Sequence, residues 1–198
     1  MLLATKNKHK LEEMRHALAG LGVELRSAFE FVELPDIEED QDTLEGNALK
    51  KARETYALTG LMSVADDTGL EVAALGGRPG VWSARYAGHG ASYAQNVDKL
   101  LAEMAAYPDP AQRKARFRTV IAVAGDAGEW VVEGVCAGEI LSERRGDGGF
   151  GYDPVFRPEG YERSFAQMSM EEKNVVSHRG RALKEFVGRL GDPPLSPP

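Results

Sequence analysis

The chain holds a single cysteine, Cys136, among 198 residues. That excludes an intrachain disulfide and a thiolate metal cluster. No apolar run approaches the roughly 20 residues that a membrane helix needs. The opening Met1-Leu2-Leu3-Ala4-Thr5 meets the charge of Lys6 too early for a signal peptide, so a cytoplasmic location is expected. A basic block is also missing. Lys and Arg number 24 against 31 Asp and Glu, giving a formal net charge of −7. Binding to nucleic acid, which rests on cations neutralising phosphates, is therefore disfavoured. There are no repeats, no linkers and no internal boundaries. What is present is ordinary for a globular chain: 42% hydrophobic and 28% charged residues, enough for a sizeable core.

Strand and helix patterns alternate along the chain. Residues 2–4 read as a strand and 8–21 as a helix with Leu11, Met14, Leu18 and Leu21 on one face, stopped by Gly22. A second strand is expected near 23–27. A helix over 44–59, closed by Gly60, follows an acidic loop at 35–42. Ser63-Val64-Ala65 reads as a short buried strand, and 70–75 as another. Residues 93–107 are amphipathic; 116–124 and 130–139 read as a hairpin around Gly125-Asp126-Ala127-Gly128. Ser169 and Glu172 have capping-box spacing, and Ser177 can cap a last helix. The class is mixed α/β. Residues 1–191 form one domain, and the Pro-rich 192–198 read as a disordered tail.

Several constellations carry chemistry. Asp66-Asp67-Thr68-Gly69 places two carboxylates where the short strand ends. Such a pair suits a hard divalent metal or a base that activates water; a plain turn is the alternative. Thr5-Lys6-Asn7-Lys8-His9-Lys10 packs three lysines at a helix start, where amides and ammonium groups can grip phosphate together. Gly148-Gly149-Phe150-Gly151-Tyr152-Asp153 lets backbone approach a flat ligand, with Phe150 or Tyr152 to stack and Asp153 to accept a hydrogen bond. Lys173, His178 and Arg179 put donors near the start of the last helix. Among Glu38, Glu39, Asp40 and Asp42, one or two acids can complete a metal site with Asp67; the rest read as a solvated loop.

Taken together these segments resemble the ITPase-like family of non-canonical purine nucleoside triphosphate pyrophosphatases. The resemblance rests on Leu3-Ala4-Thr5-Lys6-Asn7, Asn47-Ala48-Leu49-Lys50-Lys51-Ala52, Ala65-Asp66-Asp67-Thr68-Gly69-Leu70, Pro79-Gly80-Val81-Trp82-Ser83-Ala84-Arg85-Tyr86, Gly148-Gly149-Phe150-Gly151-Tyr152-Asp153-Pro154 and Ser177-His178-Arg179-Gly180, in order. It implies an elongated mixed α/β fold of two lobes around a cleft, a homodimer, and Mg²⁺-dependent hydrolysis (Mn²⁺ as the alternative metal) of ITP, dITP and XTP to monophosphate and pyrophosphate. By the resemblance, Thr5, Lys6, Asn7, Lys8, His9 and Lys10 hold the triphosphate, and Asp67 is general base and metal ligand. Thr68 lies beside the substrate; Phe150, Gly151, Tyr152, Asp153, Lys173, His178 and Arg179 contact the nucleotide.

Two positions depart from the family pattern. Lys6 stands where Gly or Ser is usual, and Gly46 stands where Glu commonly precedes Asn-Ala. By position Glu38 is the preferred acidic partner of Asp67, with Glu39 and Glu45 as alternatives. The rival readings are a pyrophosphatase of modified pyrimidine triphosphates, a non-catalytic nucleotide- or RNA-binding module, and a glycoside hydrolase. The last needs an opposed pair of acids, which adjacent residues do not supply.

Overall fold

A computed structural model describes residues 1–19, 21–31 and 33–191. The expected tail at 192–198 lies outside the described residues. The elements run β1 (Leu2–Leu3), α1 (Lys8–Leu18), β2 (Arg26–Ser27), α2 (Leu44–Thr59), β3 (Ser63–Val72), β4 (Pro79–Gly80), α3 (Tyr93–Met104), β5 (Lys114–Gly125), β6 (Gly128–Ile140), β7 (Phe156–Pro158), α4 (Met170–Val176) and α5 (His178–Gly191). Strand order is β2-β1-β3-β5-β6-β7, with β4 paired to β3. β1 runs parallel to β2 and β3, whereas β4 and β7 are antiparallel to their neighbours. The mixed α/β class is as expected.

Two compact units divide the described residues, one holding 1–67, 120–133 and 182–191, the other 68–119 and 134–181. In the first, Leu11, Met14 and Leu18 of α1 and Ala182, Leu183 and Phe186 of α5 gather with Leu3, Val64, Ile121 and Val123 of the strands. In the second, Leu70, Val72, Leu100, Met104, Phe117, Phe156 and Phe165 form the core. There Phe117 meets Phe156 edge-on at 4.7 Å between ring centres.

Local signals place the helix ends. Thr43 Oγ1 accepts from the Gly46 N–H at the start of α2, and Gly60 ends that helix at φ +65°. The Ser169–Glu172 capping box opens α4, and Ser177 Oγ accepts from the Gly180 N–H at the start of α5. Two expectations are corrected. α1 stops at Leu18 because Ala19 leaves the helical backbone (ψ 128°), so Leu21 falls off the apolar face and is 47% exposed. The strand at 63–65 does not end at the acids. β3 runs unbroken through Asp66, Asp67, Thr68 and Gly69 to Val72, since its first residues pair with β1 and Leu70 and Glu71 pair with β4. Pairing on both sides overrides the weak strand preference of Asp and Gly.

Candidate active site

Each unit carries one group of the predicted residues. In the first unit, Asp66 and Asp67 are only 5% and 7% exposed. As successive residues of a strand they point to opposite faces. Lys10, in the first turn of α1, reaches Asp66 Oδ2 at 3.0 Å. Lys51 of α2 sits 2.7 Å from the Asp66 carbonyl oxygen, 2.7 Å from Glu39 Oε1 and 3.7 Å from Asp67 Oδ1. Asn47, one turn earlier on α2, donates from Nδ2 to Asp67 Oδ2 at 3.2 Å.

The electrostatics follow from burial. Loss of water raises the pKa of Asp67; Lys51, Lys10 and Asn47 oppose that, and Glu39 adds to it. Burial works against the charge of Lys51, but Asp67, Glu39 and Asp66 prevail and its pKa is raised. Asn7 caps α1, accepting from the His9 and Lys10 N–H groups at 3.0 and 3.4 Å, and Thr5 Oγ1 accepts from the Asn7 N–H. Lys6 is exposed and pairs with Asp36 at 2.6 Å. Lys8 and His9 are exposed at the same helix start.

In the second unit, Asp153 is 3% exposed. Its Oδ2 accepts from Lys173 Nζ at 2.6 Å and from the Phe150 N–H at 2.9 Å. The Lys173 ammonium also lies 4.8 Å from the Phe150 ring centre, and the Arg179 guanidinium 5.6 Å from it. Arg179 Nη2 donates to Thr68 Oγ1 at 3.1 Å, and that hydroxyl shares a 2.8 Å hydrogen bond with Thr119. The His178 ring stacks flat on Phe117, 4.4 Å between centres and 14° between planes. Gly149 and Gly180 are required by close approach. A Cβ would come 2.1 Å from Asp153 Oδ2 at the first and 1.7 Å from the Asn174 carbonyl oxygen at the second.

A family model described as the Ham1 family matches residues 1–189. The chain belongs to the Ham1 family. A dITP/XTP pyrophosphatase of Porphyromonas gingivalis is 52% identical over 186 residues, covering 94% of both chains. One from Desulfotalea psychrophila is 49% identical over 187 residues, covering 94% of this chain and 82% of the other. Among solved structures, a HAM1 protein from Coxiella burnetii matches with a TM-score of 0.89 at 42% identity, covering 96% of each chain. The Ham1 protein of Staphylococcus aureus matches at 0.86 and 34%, again over 96% of each.

Within the first unit of this Ham1-family chain Lys10 acts on both Asp66 and Asp67; within the second, Thr68, Phe150, Asp153, Lys173 and Arg179 interact with one another. Tyr152 is turned inward, 5% exposed, with its hydroxyl donating to the Ser83 carbonyl at 2.9 Å. It is a core anchor, and Phe150 is the half-buried ring of the loop. Gly151 takes the left-handed conformation, φ +63°, that turns the chain between them. Of the three acids considered beside Asp67, Glu38 and Glu45 are exposed, whereas Glu39 is half-buried and its charge acts on Asp67. The sequence motif held Asn47 and Lys51 without marking either as a candidate beside Asp67. Their spacing of four on α2 puts both side chains on one face, and the structure brings both to that carboxylate.

The Lys173–Asp153 pair is nearly closed to water, at 12% and 4% side-chain exposure. Lys173→Met leaves the carboxylate buried beside a single N–H donor, so it should lower the urea-extrapolated unfolding free energy by about 3 kcal/mol. A loss below about 1 kcal/mol would assign that pair no structural role.

Proposed function

We propose that this chain hydrolyses the non-canonical purine triphosphates ITP, dITP and XTP to the monophosphate and pyrophosphate. The observation that carries the reading is the buried Asp67 carboxylate, flanked by Lys51 and bonded by Asn47, in a chain about half identical to proteins named dITP/XTP pyrophosphatase. Asp67 accepts a proton from water as the water oxygen attacks the α-phosphorus. The bond from that phosphorus to the α,β-bridging oxygen breaks, and pyrophosphate leaves. The lysines and amide groups at the start of α1 bind the β- and γ-phosphates and stabilise charge that builds there.

The donor set fits a divalent metal. Asp67 and Glu39 offer hard carboxylate oxygens separated by a lysine, and Mg²⁺ takes one or two carboxylates plus substrate oxygens. No group of three or more His, Cys, Asp or Glu that could hold a metal ion occurs among the described residues. Asp67 and Glu39, rather than Glu38, would hold Mg²⁺ or Mn²⁺, and the bound ion would neutralise phosphate charge. Asp67→Asn should keep the fold and nucleotide binding yet cut turnover ~10²–10⁴-fold. The assay is pyrophosphate release from ITP, XTP, dITP, ATP, GTP and dTTP, with Mg²⁺ and then with EDTA. Release confined to ITP, XTP and dITP and abolished by EDTA is expected; near wild-type turnover in Asp67→Asn would remove the base assignment.

For selectivity, Arg179, His178 and Lys173 supply donors to the 6-oxo group, which adenine lacks. Donors left unpaired by adenine are costly, so discrimination against ATP follows, whereas guanine satisfies the same donors. Arg179→Ala should raise KM for ITP and narrow the gap to ATP; an unchanged ITP/ATP ratio of kcat/KM would exclude it as the reader. The same reading carries a homodimer in the cytoplasm. Light scattering should return twice the 21.5 kDa chain mass, and a monomer that turns over fully would remove the dimer from the proposal.

A further inference from the structure

Asn47 is 0% exposed on α2, and both ends of its side-chain amide are committed. Nδ2 donates to Asp67 Oδ2 at 3.2 Å, while Oδ1 accepts from the backbone N–H of Gln41 at 3.0 Å. The two partners fix the amide's polarity, because only its nitrogen end can donate to a carboxylate and only its oxygen end can accept from an N–H. A carboxylate on a short side chain has a broad, two-fold preference about its last bond, so external hydrogen bonds must set its orientation. Asn47 approaches Oδ2 and Lys51 approaches Oδ1. The same two α2 residues bind the acidic loop, Asn47 through Gln41 and Lys51 through Glu39 at 2.7 Å.

We infer that Asn47 is a positioning residue of the reaction: it sets the rotation of the Asp67 carboxylate and ties it to the loop that carries Glu39. The inference rests on the reading of Asp67 as general base. It gives a buried asparagine, which neither touches phosphate nor titrates, a share in turnover. A base displaced by a fraction of an ångström keeps its substrate affinity and loses rate.

The test is steady-state pyrophosphate release from dITP by the full chain and its variants Asn47→Asp, Asn47→Ser and Asp67→Asn, with hydrogen exchange read at the Gln41 amide. Asn47→Asp keeps the acceptor for Gln41 and replaces the amide donor to Asp67 by a carboxyl that repels it or shares its proton. It should lower kcat about 10- to 100-fold with KM within about threefold, while Gln41 stays protected. Asn47→Ser, too short for either bond, should lose the same rate and the Gln41 protection as well. Wild-type kcat in both variants, or a rise in KM with kcat kept, would overturn the inference. If neither variant folds, the side-chain amide resonances of Asn47 decide: Asp67→Asn should move them, and unmoved resonances would overturn it. Full turnover in Asp67→Asn would remove the base reading and this inference together. An inactive Asp67→Asn beside fully active Asn47 variants would remove the inference alone.

Discussion

Two neighbouring carboxylates buried inside a β-strand set the terms for the first unit. An ion taken out of water costs several kcal/mol unless charge and hydrogen bonds replace the solvent. Strand alternation sends Asp66 and Asp67 to opposite faces, so each takes its nearest ammonium from a different helix. Lys10 comes to Asp66 from α1, and Lys51 and Asn47 come to Asp67 from α2. Lys51 is itself largely screened from water, and it remains charged because three carboxylates act on it. Remove any member and another is left as an uncompensated charge or dipole.

The acidic loop inherits its position from that arrangement. Lys51 holds Glu39 and Asn47 holds the Gln41 N–H, while the more exposed Lys50 pairs with Asp40 at 2.8 Å. Exposed pairs of the last kind contribute little, so the inner contacts carry the ordering. One helix face therefore governs both the strand carboxylate and the loop that supplies a second one. Chemistry that needs two oxygen donors near a water molecule can use such a coupled pair.

The second unit solves the same problem with one carboxylate. Asp153 is buried against Lys173 and the Phe150 N–H, and Lys173 lies over the Phe150 ring. Thr119 orders the Thr68 hydroxyl that Arg179 reaches, and Phe117 supports the plane of His178. Gly149 and Gly180 allow the backbone approaches on which this packing depends. Donors held this way are presented without the reorganisation that flexible side chains would require.

Features written in neighbouring residues were legible in the sequence alone. Gly60 closes α2, Ser169 and Glu172 open α4, and Gly125 to Gly128 turn the β5–β6 hairpin, because caps and turns depend on spacings of a few residues. The mixed α/β class and the ordered motifs followed from the same local reading. Tertiary structure decided the rest. It carried β3 through the acids, turned Tyr152 inward, paired Glu39 with Lys51, and brought Asn47 and Lys51 to a strand 20 and 15 residues away. These outcomes depend on which groups lose water together, and desolvation is a property of the packed chain that no local spacing encodes.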